Sequence, residues 1–562
     1  MRNYTFSSDP EINEMLNTVV DSINFHAQRQ LGHIKQLTQI GEALSGENDI
    51  NRILDLILQE ALEYTNSDGA TIYTVSPDNQ ALEYKLVYNR SMNLHIGGSH
   101  GELNWPVVKL FDEDGNKILK NIVSYVYHSK TIQNFDDVYK QNMFDAEKTR
   151  QMDKTNNYRC KSMVAIPLRN HEEEILGVIQ LINAMDKEDN VVSFSPEHIV
   201  MLNSLASQAA ISLSNKKLIE DLEKLIRQVI RAIAVAIDRK SKYTGGHIAK
   251  VANLTEMISQ RINKADYGHF KDLKFTDDEI TEISIAGWMH DVGKITTPEY
   301  IMDKGTKLEK MMDGIEVVQM RLELTKQVIL KDSLKPGIDD VERSKTKNLL
   351  EKINNYYEVV KTANSGNEYL ADHMVEKLKE IHTFKYCSDG IDYFLINDNE
   401  LKNLCIRKGT FTPEERELMN NHVLASWEIL SQLQFPKKYE NVALYAASHH
   451  EKLNGKGYPK HLTAEQLPVQ SRLLAVADIF EALTACDRPY KDGKALTETF
   501  KILGYAVKAR EIDANIVEFL LDSDIYIDYA KRYMIDENGD LNYQIDTLDK
   551  EELRKIFNEN SK

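Results

Sequence analysis

Hydrophobic residues change their spacing several times along this chain of 562 residues, and each change predicts a different element. Residues 1–30 are mostly polar and read as a lead with a short helix. Residues 31–64 carry Ile40, Leu44, Ile53, Ile57 and Leu62 among charged positions, as an amphipathic helical segment does. The period then drops to two. "ALEYKLVY" (81–88) sets Leu82, Tyr84, Leu86 and Tyr88 against Glu83, Lys85 and Val87, which predicts a half-buried strand. "SMVAIPL" (162–168) and "ILGVIQLINA" (175–184) are apolar runs of strand length separated by "RNHEEE", the pattern of a hairpin. Residues 31–215 therefore read as an α+β unit, with helices at both ends and a sheet between.

From Pro196 onward the pattern is helical. Leu218, Leu222, Leu225, Val229, Ala232 and Ala236 recur at alternating steps of four and three, close to the period of a helix pair. Residues 216–236 thus read as a connecting helix that pairs with a second copy in a homodimer; a helix lying on its own domain is the alternative. Everything beyond reads as helices and loops: an all-α domain over 237–500, then a helical extension over 501–562. Inside it, "KGTKLEK" at 304 is echoed by "KGTFTPEE" at 408, as if about 307–406 were a helical insertion. That stretch holds one strand-like piece, "DYFLIND", and reads as a cap or lid.

Charge narrows the function. With 69 basic and 87 acidic residues the net charge is −18, which argues against a nucleic-acid polymer as partner. An anionic substrate would need a local positive site. Four scattered cysteines form no CxxC pair, and the first residues lack the order of a signal peptide. No apolar run approaches the ~20 residues that span a bilayer. These features point to a cytoplasmic protein without a membrane partner.

The chemistry lies in the histidines. Sixteen are present, and five fall on apolar helical faces. His247, with Thr244 as a plausible helix cap, shares a face with Val251, Leu254 and Ile258; His290 shares one with Ile283 and Ala286. His422 aligns with Leu418, Ala425 and Ile429, His449 with Val442, Tyr445 and Ala446, and His450 with Ala443 and Ala447. Asp291 directly follows His290, and Asp478 sits inside "RLLAVADIFEAL", apolar nearly all round. Any one of these could be a hydrogen-bonded core residue. Seven together, without matching basic partners nearby, are better explained by metal ligation, and mixed imidazole and carboxylate donors suit iron, manganese, zinc or cobalt. Adjacent ligands, His290-Asp291 and His449-His450, diverge on a helix and could each straddle two ions.

These residues lie in "HDVGKITTPEYI", "HHEKLNGKGYP" and "RLLAVADIFEALTACDRPYK", which together resemble the HD-GYP domain of bacterial cyclic di-GMP phosphodiesterases, within the HD phosphohydrolase superfamily. The resemblance covers about 236–306 and 408–500. It implies that His247, His290, Asp291, His422, His449, His450 and Asp478 hold two divalent ions, iron or manganese, with Asp291 bridging. It also implies that Lys294, Arg488 and Lys491 contact substrate phosphates beside a loop of Gly457, Tyr458 and Pro459, with Asp291 and Lys294 in the catalytic role. The implied reaction is hydrolysis of cyclic di-GMP to linear pGpG, and to GMP where a second cut follows, by a hydroxide bridging the ions. Some members carry a glutamate one turn before the first histidine for a third metal; Tyr243 stands there in this chain, which favours two. The alternatives are a phosphohydrolase for another cyclic dinucleotide or phosphate ester, and a non-catalytic signalling protein that binds a nucleotide or a partner.

The N-terminal unit resembles a GAF sensor domain in "TIQNFDDVYKQNMF", "YRCKSMVAIPL", "EILGVIQLINAMDKEDNVVSF" and "LASQAAISLSN". That implies regulation by a small-molecule ligand of unknown identity. Asn183, Lys187 and Phe194 loosely resemble the NKF signature of cyclic-nucleotide-binding members at a different spacing, and Asn183 reads equally well as a turn residue. Cys160 is open to a structural role or to redox or chromophore chemistry.

Overall fold

Two helices, α1 (Pro10–Gly46) and α2 (Ile50–Thr65), precede the first strand in this computed structural model. The structure describes residues 6, 9–46, 49–101, 103–141, 143–144, 147–240, 246–337, 339–366, 369–485, 493–535 and 545–562. The helical lead expected to end near residue 30 continues to Gly46, and Asp49 then caps α2 by accepting from the Asn51 amide.

Among the described residues eight strands follow, interleaved with α3 (Ile122–Ser129) and α4 (Glu147–Thr155): β1 (Ser67–Val75), β2 (Ala81–Asn89), β3 (Leu94–Gly97), β4 (Val108–Lys109), β5 (Gln133–Phe135), β6 (Met163–Arg169), β7 (Ile175–Met185) and β8 (Val191–Val192). They form one antiparallel sheet in the order β3-β2-β1-β7-β6-β5, with β4 on β2 and β8 on β7. The predicted hairpin is β6–β7, with Met163 opposite Ile182 and Leu168 opposite Gly177.

Both sheet faces are covered, so side chains of opposite parity enter different cores. Ile72, Val164, Ile166, Ile179 and Leu181 meet α2 and the start of α5 (Pro196–Asp238), while Tyr73, Ala165 and Val178 meet α3. The alternation read across 81–88 is broken by a bulge: Ile72 pairs with Leu86 but Tyr73 pairs with Tyr84, leaving Lys85 unmatched. Leu82 and Leu86 therefore enter opposite cores instead of one.

The final helix of this unit runs without a break to Asp238, so the 216–236 connector is the second half of α5. The chain divides into two compact units within it, between Leu225 and Ile226. Along α5, Ile230, Ala234 and Ile237 are buried, whereas Leu218, Leu222, Leu225 and Val229 are about half exposed (59%, 50%, 53% and 49%).

The second unit comprises α6 (His247–Lys264), α7 (Asp277–Met289), α8 (Glu299–Met302), α9 (Ile315–Ser333), α10 (Asp340–Asn364), α11 (Asp372–Thr383), β9 (Lys385–Ser388), β10 (Ile391–Phe394) and α12 (Asp398–Leu404). It continues with α13 (Pro413–Ser431), α14 (Val442–Ala447), α15 (Val469–Thr484), α16 (Leu496–Lys508), α17 (Ala514–Asp522), α18 (Ile525–Tyr533) and α19 (Lys550–Ser561). Its main core joins α6, α7, α14 and α15 to Phe500, Leu520, Tyr526 and Phe557, so helices α16 to α19 pack into this unit rather than trailing from it. The stretch from Leu308 to Leu404 folds around a separate core of Val318, Leu322, Ile353, Tyr356 and Leu378. It is not purely helical: "DYFLIND" contributes β10, which pairs with β9. Lys304 bonds both oxygens of Glu415 (2.8 and 2.7 Å) and Lys307 donates to the Leu404 carbonyl, closing the base of this lobe. No helix among the described residues is long and apolar enough to cross a membrane.

Candidate metal centre

Three helix ends and two helix interiors bring the predicted ligands together. His247 is the first residue of α6, capped by Gly246 in the left-handed region (φ +85°). Thr244, expected as the cap, lies outside the described residues, as does Tyr243. Helix α7 starts with a Thr276–Glu279 capping box and ends at Met289, so His290 is its C-cap and Asp291 leads into a 3-10 turn, Val292–Thr296. His422 lies inside α13, on a buried face with Val423, Ser426 and Leu430. Leu418, expected on that face, is instead exposed. His449 and His450 follow α14 in a turn rather than sitting on it, and their rings lie 4.1 Å apart. Asp478 is in α15.

The geometry sorts these groups around Asp291. Its Oδ2 faces His290 Nε2 (3.3 Å) and His247 Nε2 (3.6 Å), and its Oδ1 faces His422 Nε2 (3.3 Å) and His449 Nε2 (4.0 Å). Asp478 Oδ1 is 3.3 Å from His247 Nε2. Two donor groups result, His247–His290–Asp478 and His422–His449–His450, each with donor atoms within 4.8 Å of one another. His449 also falls within reach of His290 and Asp291, whereas His450 groups only with His422 and His449.

The donors fit a cation. His290, His422 and His449 each donate Nδ1–H to the carbonyl three residues earlier (Gly287, Met419 and Ala446), which leaves Nε2 as the lone-pair nitrogen. Those three Nε2 atoms and Asp291 Oδ1 are buried without a hydrogen-bond partner among the described residues. Each such orphan costs about 1–3 kcal/mol, a cost that a cation would offset. At His247, Nδ1 bonds the carboxylate of Glu481, which is 1% exposed. Sequence reasoning missed Glu481; the signal was a second carboxylate, one turn after Asp478, on a helix otherwise apolar.

Residues 398–516 match the HD domain family and residues 49–213 match the GAF domain family. The chain carries a GAF domain and an HD domain. It is 36% identical over 120 residues to the cyclic di-GMP phosphodiesterase response regulator RpfG of Xanthomonas campestris, covering 21% of this chain and 31% of that protein. It is 37% identical over 98 residues to a cyclic di-GMP phosphodiesterase of Thermotoga maritima (17% and 26%). It is 35% identical over 80 residues to the 3'3'-cGAMP-specific phosphodiesterase 1 of Vibrio cholerae (14% and 18%). The matched stretches span less than a third of each of these relatives.

The matched HD segment includes His422, His449, His450 and Asp478, while His247, His290 and Asp291 precede it. Ser426 joins the two parts: its hydroxyl accepts from the Gly293 amide and donates to the His290 carbonyl, both at 2.9 Å. Lys294 Nζ sits 2.5 Å from Asp291 Oδ2. Burial alone would raise the Asp291 carboxyl, but Lys294 and His290 outweigh it and hold the group well below the usual carboxylate range.

Beside the centre, buried Glu451 accepts from the amides of Lys460 (2.6 Å) and Leu462 (2.9 Å), folding the Gly457-Tyr458-Pro459 loop back on itself. A Cβ at Gly457 would come within 2.4 Å of Glu451 Cα, so only glycine fits there. Tyr458 is thereby held with its ring 5.0 Å from that of His450. Arg488 and Lys491 lie outside the described residues.

The histidines of the candidate centre differ in proton affinity. Burial pushes His450 down to about 4, and burial with the neighbouring His450 and His290 pushes His449 well below its ordinary value. Burial also disfavours charge on His247, yet Glu481, Asp291 and Asp478 outweigh it and raise that group well above 6.5. An ion on the His247 side must displace a proton, whereas one on the His449 side meets neutral rings. Affinity on the His247 side is therefore expected to rise with pH through neutrality, up to about tenfold per unit for one proton. In the metal-depleted chain the His247 pairing stabilises fully below pH 6.5 and is lost as pH rises through the raised value. Calorimetry in buffers of different ionisation enthalpy measures the released proton; uptake with none released on either side contradicts this assignment.

Glu481→Gln removes the charge that orients His247 while keeping the side-chain volume. The expected result is metal affinity reduced about 10–100-fold in a protein that still folds. Equal affinity in the variant would show that Glu481 serves only to fill space.

In the GAF domain, Cys160 is buried beside Val138 and Met163, and burial pushes its thiol up to about 12, which suits a structural role. Asn183 bonds Tyr158, Arg159 and Lys161, Phe194 lies in the core, and Lys187 is exposed, so these three form no common ligand surface.

Proposed function

We propose that the chain is a metal-dependent phosphodiesterase that hydrolyses cyclic di-GMP to linear pGpG, with the GAF domain as its regulatory input. The observation that carries this reading is the Asp291 carboxylate, whose two oxygens face two separate sets of imidazoles. His247, His290 and Asp478 would hold one ion and His422, His449 and His450 the other, with Asp291 shared; iron or manganese suits this donor set. When bound, two such ions would lower the pKa of a water enough to make hydroxide available as nucleophile near neutral pH, and would supply positive charge for the displaced oxygens. Glu481 and the three carbonyl acceptors hold the imidazoles in the ligating tautomer. Lys294 brings an ammonium to the edge of the site, where it offsets charge developing on the phosphate. Tyr458 offers a ring for a base to stack on. Arg488 and Lys491 are assigned to the substrate phosphates.

The exposed Leu218–Val229 seam of α5 supports a homodimer, and the scattered cysteines support a cytoplasmic location. The lobe over 307–406 would act as a lid. A second substrate is in view because one relative is named as 3'3'-cGAMP-specific. Side-by-side turnover of cyclic di-GMP and 3'3'-cGAMP by the purified full chain, with products separated by chromatography, tests the reading. Preferential conversion of cyclic di-GMP to pGpG supports it. Preference for the hybrid dinucleotide changes the substrate but keeps the chemistry, and cleavage of neither by metal-loaded protein overturns it.

A further inference from the structure

A second cluster of metal-ligating side chains lies in the GAF domain, apart from everything assigned above. Helix α2 buries Ile53, Leu54, Ile57 and Leu58 and leaves Asp55 at the edge of that face, partly exposed. Strand β3 supplies His95, opposite Tyr88 on β2, and the 3-10 turn Gly98–His100 that follows ends in His100. The turn is built to approach α2 closely. Gly97 and Gly98 both have positive φ (+94° and +55°), and a Cβ on Gly98 would come within 2.4 Å of Asp55 Oδ1.

Three features of this cluster suit a cation. The donor atoms of Asp55, His95 and His100 all lie within 4.8 Å of one another. The two imidazoles face each other with centroids 3.7 Å apart, an arrangement that protonation of both would oppose. Asp55 is oriented from one side only: its Oδ2 accepts from the Ser99 amide (3.1 Å) and hydroxyl (2.5 Å), while Oδ1 is buried without a hydrogen-bond partner among the described residues. A carboxylate ligand anchored by hydrogen bonds through one oxygen is the usual outer support of a metal site. Burial, followed by the neighbouring His100, also lowers the proton affinity of His95, which keeps a lone pair available near neutral pH.

We propose that Asp55, His95 and His100 form a cation site in the GAF domain that takes a first-row divalent transition ion such as zinc. Two imidazoles and one carboxylate match the borderline donors such ions prefer, and leave a fourth position for water or an outside donor. Tetrahedral zinc with ligands near 2.0–2.1 Å needs donors about 3.4 Å apart. Both histidines are exposed, so rotation of their rings closes the gap without moving the core. Binding would clamp α2 to the β3 turn. At the surface, occupancy would follow the free ion concentration, which makes the site a candidate input of the sensor domain.

The test is zinc titration of the full chain against a chromophoric chelator, with His95→Ala/His100→Ala and Asp55→Asn variants in parallel. Wild type is expected to take up one more zinc equivalent than either variant, and zinc is expected to raise its unfolding temperature further than theirs. All three proteins should unfold alike when metal is chelated, because the exchanged histidines are exposed and the side-chain oxygen left by Asp55→Asn can still accept from Ser99. Equal uptake by wild type and both variants overturns the proposal. Uptake lost in the histidine variant but retained in Asp55→Asn overturns the three-ligand site. Ions held at the HD-domain centre add equally to all three counts, so failure there leaves this comparison intact.

Discussion

Asp291→Ala is expected to remove both ions and phosphodiester hydrolysis together. The Asp291 carboxylate faces both imidazole sets directly: Oδ2 serves His247 and His290 while Oδ1 serves His422 and His449. Losing either outer histidine would weaken one ion; losing the shared carboxylate weakens both and strands Lys294, its partner at 2.5 Å. Turnover should fall by more than the ~10²–10³-fold that removal of one transition-state hydrogen-bond donor costs, since the nucleophile itself depends on the centre. Metal analysis and turnover on the same sample check this. An Asp291→Ala protein that keeps two ions per chain would show that Asp291 is not shared.

Gly293→Ala is expected to be the most damaging single-methyl change near the site. An added Cβ would lie 1.9 Å from the His422 carbonyl oxygen and 2.5 Å from the Ser426 amide nitrogen. Both atoms are backbone inside α13, so no rotamer change relieves the clash. The helix must retreat from the 3-10 turn, which also pulls His422 from Asp291 and breaks the Ser426 bridge. A loss of about 3 kcal/mol is expected, read as a lower urea midpoint in the fluorescence of Trp288 and Trp427, together with loss of the second ion. An unchanged midpoint would mean that this turn does not rest on α13 as described.

The cluster around Asp291 was legible because each member is an expensive polar group at an apolar position, and expense is visible in a sequence. His247, His290, Asp291, His422, His449 and Asp478 are all buried in the folded chain. How they are presented was not legible. Four of the five histidines, His247, His290, His449 and His450, sit at or beyond helix ends, and the 3.6-residue period carries no mark of where α7 and α14 stop. Glu481 shared the signal of Asp478 but was read as part of the helix, although its role becomes visible only once α6 lies alongside α15. The β2 strand shows the same limit: the two-residue period was correct on each side of Lys85, and the bulge that switches faces depends on the β1 partner. Likewise β9, "KYCS", is too polar to signal a strand and exists as the partner of β10. The value of Gly293 lies wholly in what approaches it.

The central claim is that Asp291 joins two ions held by separate donor sets. Anomalous diffraction from crystals of the iron- or manganese-loaded full chain tests it most directly. The account predicts two peaks about 3.5–4 Å apart, one among His247, His290 and Asp478 and one among His422, His449 and His450, with Asp291 between them. A single peak, or two peaks with Asp291 bound to only one, would contradict it.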